Sequence, residues 1–153
     1  MYEFLKYWVE DVMTPDPVCA DPKTTIHEVE RIFESHDFNG LPVVNAAGEL
    51  VGIVTKLDVL KAFRFSDENM LPPYDEIMKQ PVEAVMTANV RSVCPRTLLT
   101  RVLEKMIEFG VKSFPVLDGR RLVGMVARED VLRALRRGTA GVNPTPVAEL
   151  VDS

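Results

Sequence analysis

The 153-residue chain holds only two cysteines, two histidines and no apolar run approaching a bilayer span, and each shortage excludes a class of protein. Cys19 and Cys94 have no CxxC partner and no nearby histidine, so packed thiols are expected rather than a metal or redox centre. His27 and His36 stand apart along the chain and are expected on the solvated surface, with no metal site. Without a segment of about 20 apolar residues no membrane helix is expected. The start, Met1 to Trp8, lacks the basic stretch, apolar core and cleavage site of a secretory signal, which implies a cytoplasmic location. No GxGxxG, P-loop or nucleophile-elbow pattern occurs, so no catalytic machinery is visible and the chain is not expected to be an enzyme. A net charge of −5 argues against a sequence-independent nucleic-acid binder, which needs a basic face to displace counterions from phosphates. A local basic pocket for a small anion remains open.

What the chain does have is a repeat. VMTPDPVCADPKTTIHEV from Val12 returns as VMTANVRSVCPRTLLTRV from Val85, and LPVVNAAGELVGIVTKLDVLKA from Leu41 returns as FPVLDGRRLVGMVAREDVLRA from Phe114. Met13 to Met86 and Pro42 to Pro115 are 73 positions apart, whereas Gly52 to Gly124 and Asp58 to Asp130 are 72 apart. One residue has therefore been lost between these anchors, and the turn Asn45–Gly48 against Asp118–Arg120 is the expected place, since hairpin turns tolerate length changes that strands do not.

Each copy has the same order. An extended piece, Val18 to Ala20, is stopped by Asp21-Pro22-Lys23-Thr24, which offers a helix cap ahead of Ile26, Val29, Ile32 and Phe33 at helical spacing. In the second copy Pro95 and Thr97 precede Leu99, Val102, Leu103 and Met106. Two apolar strands follow, Leu41 to Asn45 and Leu50 to Thr55 in the first copy, whose continuous apolar character predicts burial on both faces. Leu57 to Phe63 and Glu129 to Leu135 then read as closing helices. The organisation is an N-terminal segment 1–9, able to form an amphipathic helix that packs on the body or on a second chain. Then come a first repeat 10–63, a linker 64–84 with a helical turn near Tyr74 to Met78, a second repeat 85–136, and a tail 137–153 without periodicity that is expected to be disordered or a short docking segment.

VMTPDPVCADPKTTIHEV, NGLPVV and GELVGIVTKLD, with their second-copy counterparts, resemble a tandem pair of cystathionine-beta-synthase-type (CBS) domains, a Bateman module, over residues 10 to 136. The resemblance implies an α/β (α+β) fold of two βαββα halves related by a pseudo-two-fold axis in one compact module. It also implies a regulatory role in which AMP, ADP, ATP or S-adenosylmethionine binds in clefts between the repeats, with no cofactor required. A disc-like homodimer and an unidentified effector protein complete the implied picture. In the first repeat Asp16, Pro17 and Val18 match the segment that bonds adenine through its backbone, and Phe38, Asn39, Gly40, Leu41 and Pro42 match the wall of the ring. Thr55 and Asp58 match the phosphate and ribose contacts, as suits a hydroxyl at a helix start and a carboxylate that can accept from both ribose hydroxyls.

The second repeat departs from that pattern. Asn89, Val90 and Arg91 would frame the base, Val111, Lys112, Ser113 and Pro115 would line the wall, and Asp130 is kept, but Ala127 stands where Thr55 stood. Lys112 or Arg128 could replace the lost hydroxyl with a cation and favour an anionic ligand; equally, this site could be weak, empty or used by another ligand. Thr55 against Ala127 predicts tighter binding in the first site. Bland readings stand beside these. Thr55 to Asp58 is also a capping box, and Pro42, Pro115, Gly52 and Gly124 could serve strand entry and close packing against a helix. A structural or dimerisation module with vestigial pockets is the alternative function.

Overall fold

The computed structural model describes residues 2–38, 40–64 and 73–142. In chain order the elements are α1 (Tyr2–Lys6), α2 (Val9–Val12), β1 (Thr14–Pro15), α3 (Ile26–Ser35), β2 (Gly40–Val44), β3 (Leu50–Thr55), α4 (Lys56–Lys61), α5 (Tyr74–Met78), a 3₁₀ turn (Val82–Ala84), α6 (Leu99–Phe109), β4 (Ser113–Asp118), β5 (Arg121–Ala127) and α7 (Arg128–Val142). The fold is mixed α and β. The strand expected at Val18 to Ala20 is reduced to a single bridge in which Ala20 lies parallel to Val43, and Val93 bridges Val116 in the same way, so each repeat keeps the βαββα order. The chain forms two units, one of Val18–Val90 and one of the residues up to Pro17 together with those from Arg91 onward.

In the unit of Val18–Val90, the β2–β3 hairpin pairs Gly40 with Thr55 and Val44 with Leu50. On the far edge of β3, Ile53 N–H donates to Thr87 O at 2.9 Å and Thr87 N–H donates back to Ile53 O at 2.8 Å. Gly52 makes this approach possible: a Cβ there would stand 2.7 Å from Met86 Sδ and 2.9 Å from Thr87 O. The close partner is therefore the extended segment that opens the second repeat, not a helix. α3 is capped by Thr25, whose hydroxyl accepts from Glu28 N–H, one residue later than the sequence suggested. Asp21 instead holds the preceding turn, accepting from Lys23 and Thr24 N–H. The helix buries Ile26, Val29 and Phe33, each worth about 1.5–3 kcal/mol on full burial.

The other unit repeats this arrangement with the copies exchanged. β1, from the start of the first repeat, pairs antiparallel with β5 of the second, Thr14 facing Met125 and Pro15 facing Gly124. A Cβ at Gly124 would lie 2.6 Å from Met13 Sδ and 3.0 Å from Thr14 O. β5 also pairs with β4 along Ser113–Asp118, and the turn between them is the shorter one, with Gly119 at φ 66°. The lost residue thus falls in the turn, as expected. α6 buries Leu99, Val102 and Met106 and ends at Gly110, φ 64°, in the left-handed cap that glycine favours.

The N-terminal segment folds onto this unit. Phe4 and Val9 are buried in its core with Phe114 and Val126, and Val9 N–H donates to Thr97 O while Leu99 N–H donates to Tyr7 O. The helical turn expected at Tyr74 to Met78 is α5, and it does the same service for the first repeat. There Ile26 N–H donates to Gln80 O and Val82 N–H to Thr24 O. The repeat therefore begins earlier than Val12: Glu3, Lys6, Val9 and Glu10 recur as Glu76, Lys79, Val82 and Glu83. α7 runs through Arg136 to Val142, so the helix continues past the expected end at Leu135 into the segment expected to be disordered or a short docking segment. Residues 143–153 lie outside the described residues. Burial on both faces holds for β2 and β4, while β3 and β5 alternate buried and half-buried positions.

Candidate ligand-binding site

Among the described residues, two polar or charged side chains are buried: Asp58, 8% exposed, and Asp130, 7% exposed. They occupy the same repeat position, three residues beyond the end of the second hairpin strand. A buried carboxylate is costly unless partnered, so what each one holds is the central question.

Asp58 sits in the first turn of α4. Its Oδ2 accepts from Thr55 N–H at 2.9 Å, and its own N–H donates to Thr55 Oγ1 at 3.2 Å, which is the capping box considered above. This satisfies two amides at the helix start. It leaves the Thr55 hydroxyl proton free to donate. Among the described residues no buried side-chain oxygen lacks a partner, so Oδ1, which makes no bond there, reaches the surface, where hydroxyl groups could bond it. Lys61, three residues on, makes no ion pair with Asp58 among the described residues.

Asp130 opens α7 differently. Its Oδ2 accepts from Ala127 N–H at 2.8 Å, and with no hydroxyl at Ala127 the return bond is missing. Its Oδ1 accepts from Arg133 Nη1–H at 3.1 Å. Arg133 was outside the set picked from sequence, although an acid and a base three residues apart on a helix are a legible pairing signal. Beside it, Arg128 N–H donates to Lys112 O at 3.0 Å and Arg128 Nε to Val111 O at 3.3 Å, which fixes the entry of β4 against the start of α7.

The other sequence-derived positions are placed as follows. Phe38 is half-buried and stacked on His36, ring centroids 4.8 Å apart and 6° from parallel. Gly40 is half-buried, whereas Leu41 and Pro42 are buried, so those two can offer a ligand only backbone. Asn39 lies outside the described residues. Val18 is exposed. Asp16 and Pro17 belong to the unit with the second hairpin, and Asp16 alone among the described non-glycine residues has a positive φ, 46°, a strained conformation that asparagine and aspartate tolerate best. In the second repeat Arg91 lies over the Phe109 ring, Cζ 3.7 Å from its centroid. Lys112 is exposed, Val111 and Ser113 are half-buried and Pro115 is buried. Asn89 and Val90 fall in the unit of Val18–Val90.

The cysteines correct the expectation of packed thiols, because both are exposed; partial burial nonetheless pushes the Cys19 thiol up from its ordinary range, away from the reactive thiolate. Both histidines are exposed as expected. Cys19 borders an open groove of about 900 Å³ with Lys23, Arg31 and Asn45. None of the ligand-site residues expected from sequence lines it. Lys23 there is tied to Glu83 at 2.7 Å, which with the Coulomb attraction raises its pKa. Among the described residues no group of histidine, cysteine, aspartate and glutamate is placed to hold a metal, and no helix is long and apolar enough to cross a membrane.

A two-repeat βαββα chain with an acid at each closing helix start is the pattern of a CBS domain pair. The CBS domain model matches residues 9–64 and 82–137, and the chain belongs to that family. It is similar to inosine-5'-monophosphate dehydrogenase of Escherichia coli, 36% identical over 86% of this chain and 25% of the dehydrogenase. It is also similar to L-aspartate semialdehyde sulfurtransferase of Methanocaldococcus jannaschii, 32% identical over 82% of this chain and 22% of the enzyme. The chain thus spans about a quarter of each enzyme. Among solved structures it resembles a CBS domain pair in complex with 5'-methylthioadenosine and S-adenosyl-L-methionine, with a TM-score of 0.69, 31% identity and coverage of 86% of this chain and 98% of that one. It also resembles CBSX2 in complex with AMP, with a TM-score of 0.75, 27% identity and coverage of 87% and 98%.

Proposed function

We propose that this chain is a non-catalytic regulatory module of the cytoplasm that binds an adenosine-containing compound, AMP, ADP, ATP or S-adenosylmethionine, and passes the binding on to a separate effector protein. The observation that carries the reading is the pair of buried carboxylates at one repeat position, Asp58 and Asp130, the first with an oxygen open to the surface. Relatives of known structure that carry AMP or S-adenosyl-L-methionine support the same ligand class. Around Asp58 the contacts would come from Val18, Phe38, Gly40, the Leu41 and Pro42 backbone, and Thr55; around Asp130, from Arg91, Val111, Lys112, Ser113 and Arg128. A ligand shifts its effector by binding one conformation better than another. A thermal-shift screen of the full chain against these compounds, with Asp58→Ala alongside, tests the reading. At about one hundred times the dissociation constant a ligand adds about 2.7 kcal/mol, and this shift should be lost or weakened in the variant. No shift with any adenosine compound would sink it.

A second reading, a structural or dimerisation module, has its own observation: Thr55 and Asp58 already satisfy one another as a capping box. The homodimer is common to both readings. Phe4 and Val9 are used inside the chain, so the apolar surface left for a second copy includes Leu57 and Leu60 of α4, 59% and 66% exposed. Light scattering should give twice the 17.2 kDa chain mass. A monomer at high concentration would refute the dimer.

A further inference from the structure

Two side-chain ion pairs join the described residues, and only Arg133–Asp130 involves a buried acid. We propose that Arg133 determines ligand charge preference at the second repeat, selecting a nucleoside phosphate over a neutral nucleoside. The inference rests on the adenosine reading above and names a residue that reading does not use.

The guanidinium occupies Asp130 Oδ1 while Ala127 N–H occupies Oδ2, so both oxygens of the carboxylate are engaged. Ribose hydroxyls that bond this carboxylate compete with Arg133. A ligand carrying phosphate offers the displaced guanidinium a new anion, and the planar fork of arginine suits phosphate oxygens. A neutral nucleoside leaves it unpaired, and specificity is that difference. In the first repeat Lys61 stands in the corresponding place, and Asp58 keeps an open oxygen, so no such competition exists. The local charge agrees: Arg91, Lys112, Arg128 and Arg133 stand where the first repeat has Val18, Asn39, Lys56 and Lys61. Arg133 is half exposed, so it can leave Asp130 without dragging core residues with it.

The test uses the full chain carrying Asp58→Asn, which confines measured binding to the second repeat, and calorimetric titration with AMP and adenosine. AMP should bind more tightly than adenosine by about tenfold or more. Adding Arg133→Ala should abolish that ratio chiefly by weakening AMP, Arg133→Lys should keep part of it, and Arg136→Ala on the same helix should leave it unchanged. Melting temperatures of all variants without ligand should agree within a few degrees, since a half-exposed pair contributes little to stability. An unchanged ratio in Arg133→Ala overturns the proposal while the adenosine reading stands, as does an equal loss in Arg136→Ala. No binding to the Asp58→Asn chain, when the wild type does bind, also overturns it. If no compound binds the wild type either, the adenosine reading falls with it.

Discussion

Replacing Gly52 with alanine should destabilise the protein by about 2–4 kcal/mol, because the added methyl has nowhere to go. It would lie 2.7 Å from Met86 Sδ and 2.9 Å from Thr87 O. The thioether is flexible and can move aside, but the carbonyl is backbone, held by the reciprocal bonds between Ile53 and Thr87 at 2.8 and 2.9 Å. Overpacking of this kind costs about 1–3 kcal/mol, and weakening one or both bridge bonds adds about 0.5–1.5 kcal/mol each. At about 2–4 °C per kcal/mol for a domain of this size, a loss of about 3 kcal/mol lowers the melting temperature by about 6–12 °C. Urea unfolding gives the free energy, and amide hydrogen exchange should show faster opening at Ile53 and Thr87 than at the next residue, Val54, which is paired with Leu41 of β2. Adding Met86→Ala to Gly52→Ala relieves the sulfur contact but not the carbonyl, so stability should recover only in part. A loss below about 0.5 kcal/mol in Gly52→Ala, or full recovery in the double variant, would refute the claim that the backbone of the second repeat's leading segment is what demands glycine here.

Phe4→Ala should cost about 3–5 kcal/mol, because Phe4 is 2% exposed in the core with Phe114; urea unfolding reads it, and a loss typical of a surface position would show that the N-terminal helix is dispensable. Asp58→Ala should weaken adenosine-ligand binding more than Asp130→Ala does, since Thr55 has its hydroxyl and Ala127 has none; equal losses by calorimetry would remove the asymmetry. Lys23 has its pKa raised by the Glu83 hydrogen bond and charge. A raised lysine pKa means that the pair's contribution is present below the ordinary lysine range and lost as the pH rises through the raised value. Glu83→Gln should bring the Lys23 titration back down by NMR with little change in stability near neutral pH, as expected of an exposed pair.

Much of the local chemistry could be read along the chain. The reciprocal bonds of Thr55 and Asp58 follow from their three-residue spacing at a strand-to-helix junction, and the short Gly119 turn follows from the 73-to-72 change in repeat spacing. The start of the repeat was legible too, in the recurrence of Glu3, Lys6, Val9 and Glu10 as Glu76, Lys79, Val82 and Glu83, but weaker identity than in the strands hid it. The end of α7 was not, because Gly138 and Gly141 disfavour a helix locally and the helix forms despite that propensity. The exposure of Cys19 and Cys94 was not legible either, because both precede turns, where apolar character alone does not decide exposure.

The sequence by itself determined that there are two like halves, each with an amphipathic helix, a hairpin and a closing helix with an acid in its first turn, since periodicity and caps act over a few residues. Only the tertiary structure decided which partner each leading Met-Thr segment takes: Thr14 joins β5 and Thr87 joins Ile53, each on the hairpin of the other repeat. An exposed strand edge offers the same N–H and C=O groups whichever copy it belongs to, so local sequence does not fix that choice. It is set by the long-range closure that lets Met13 and Met86 pack over Gly124 and Gly52.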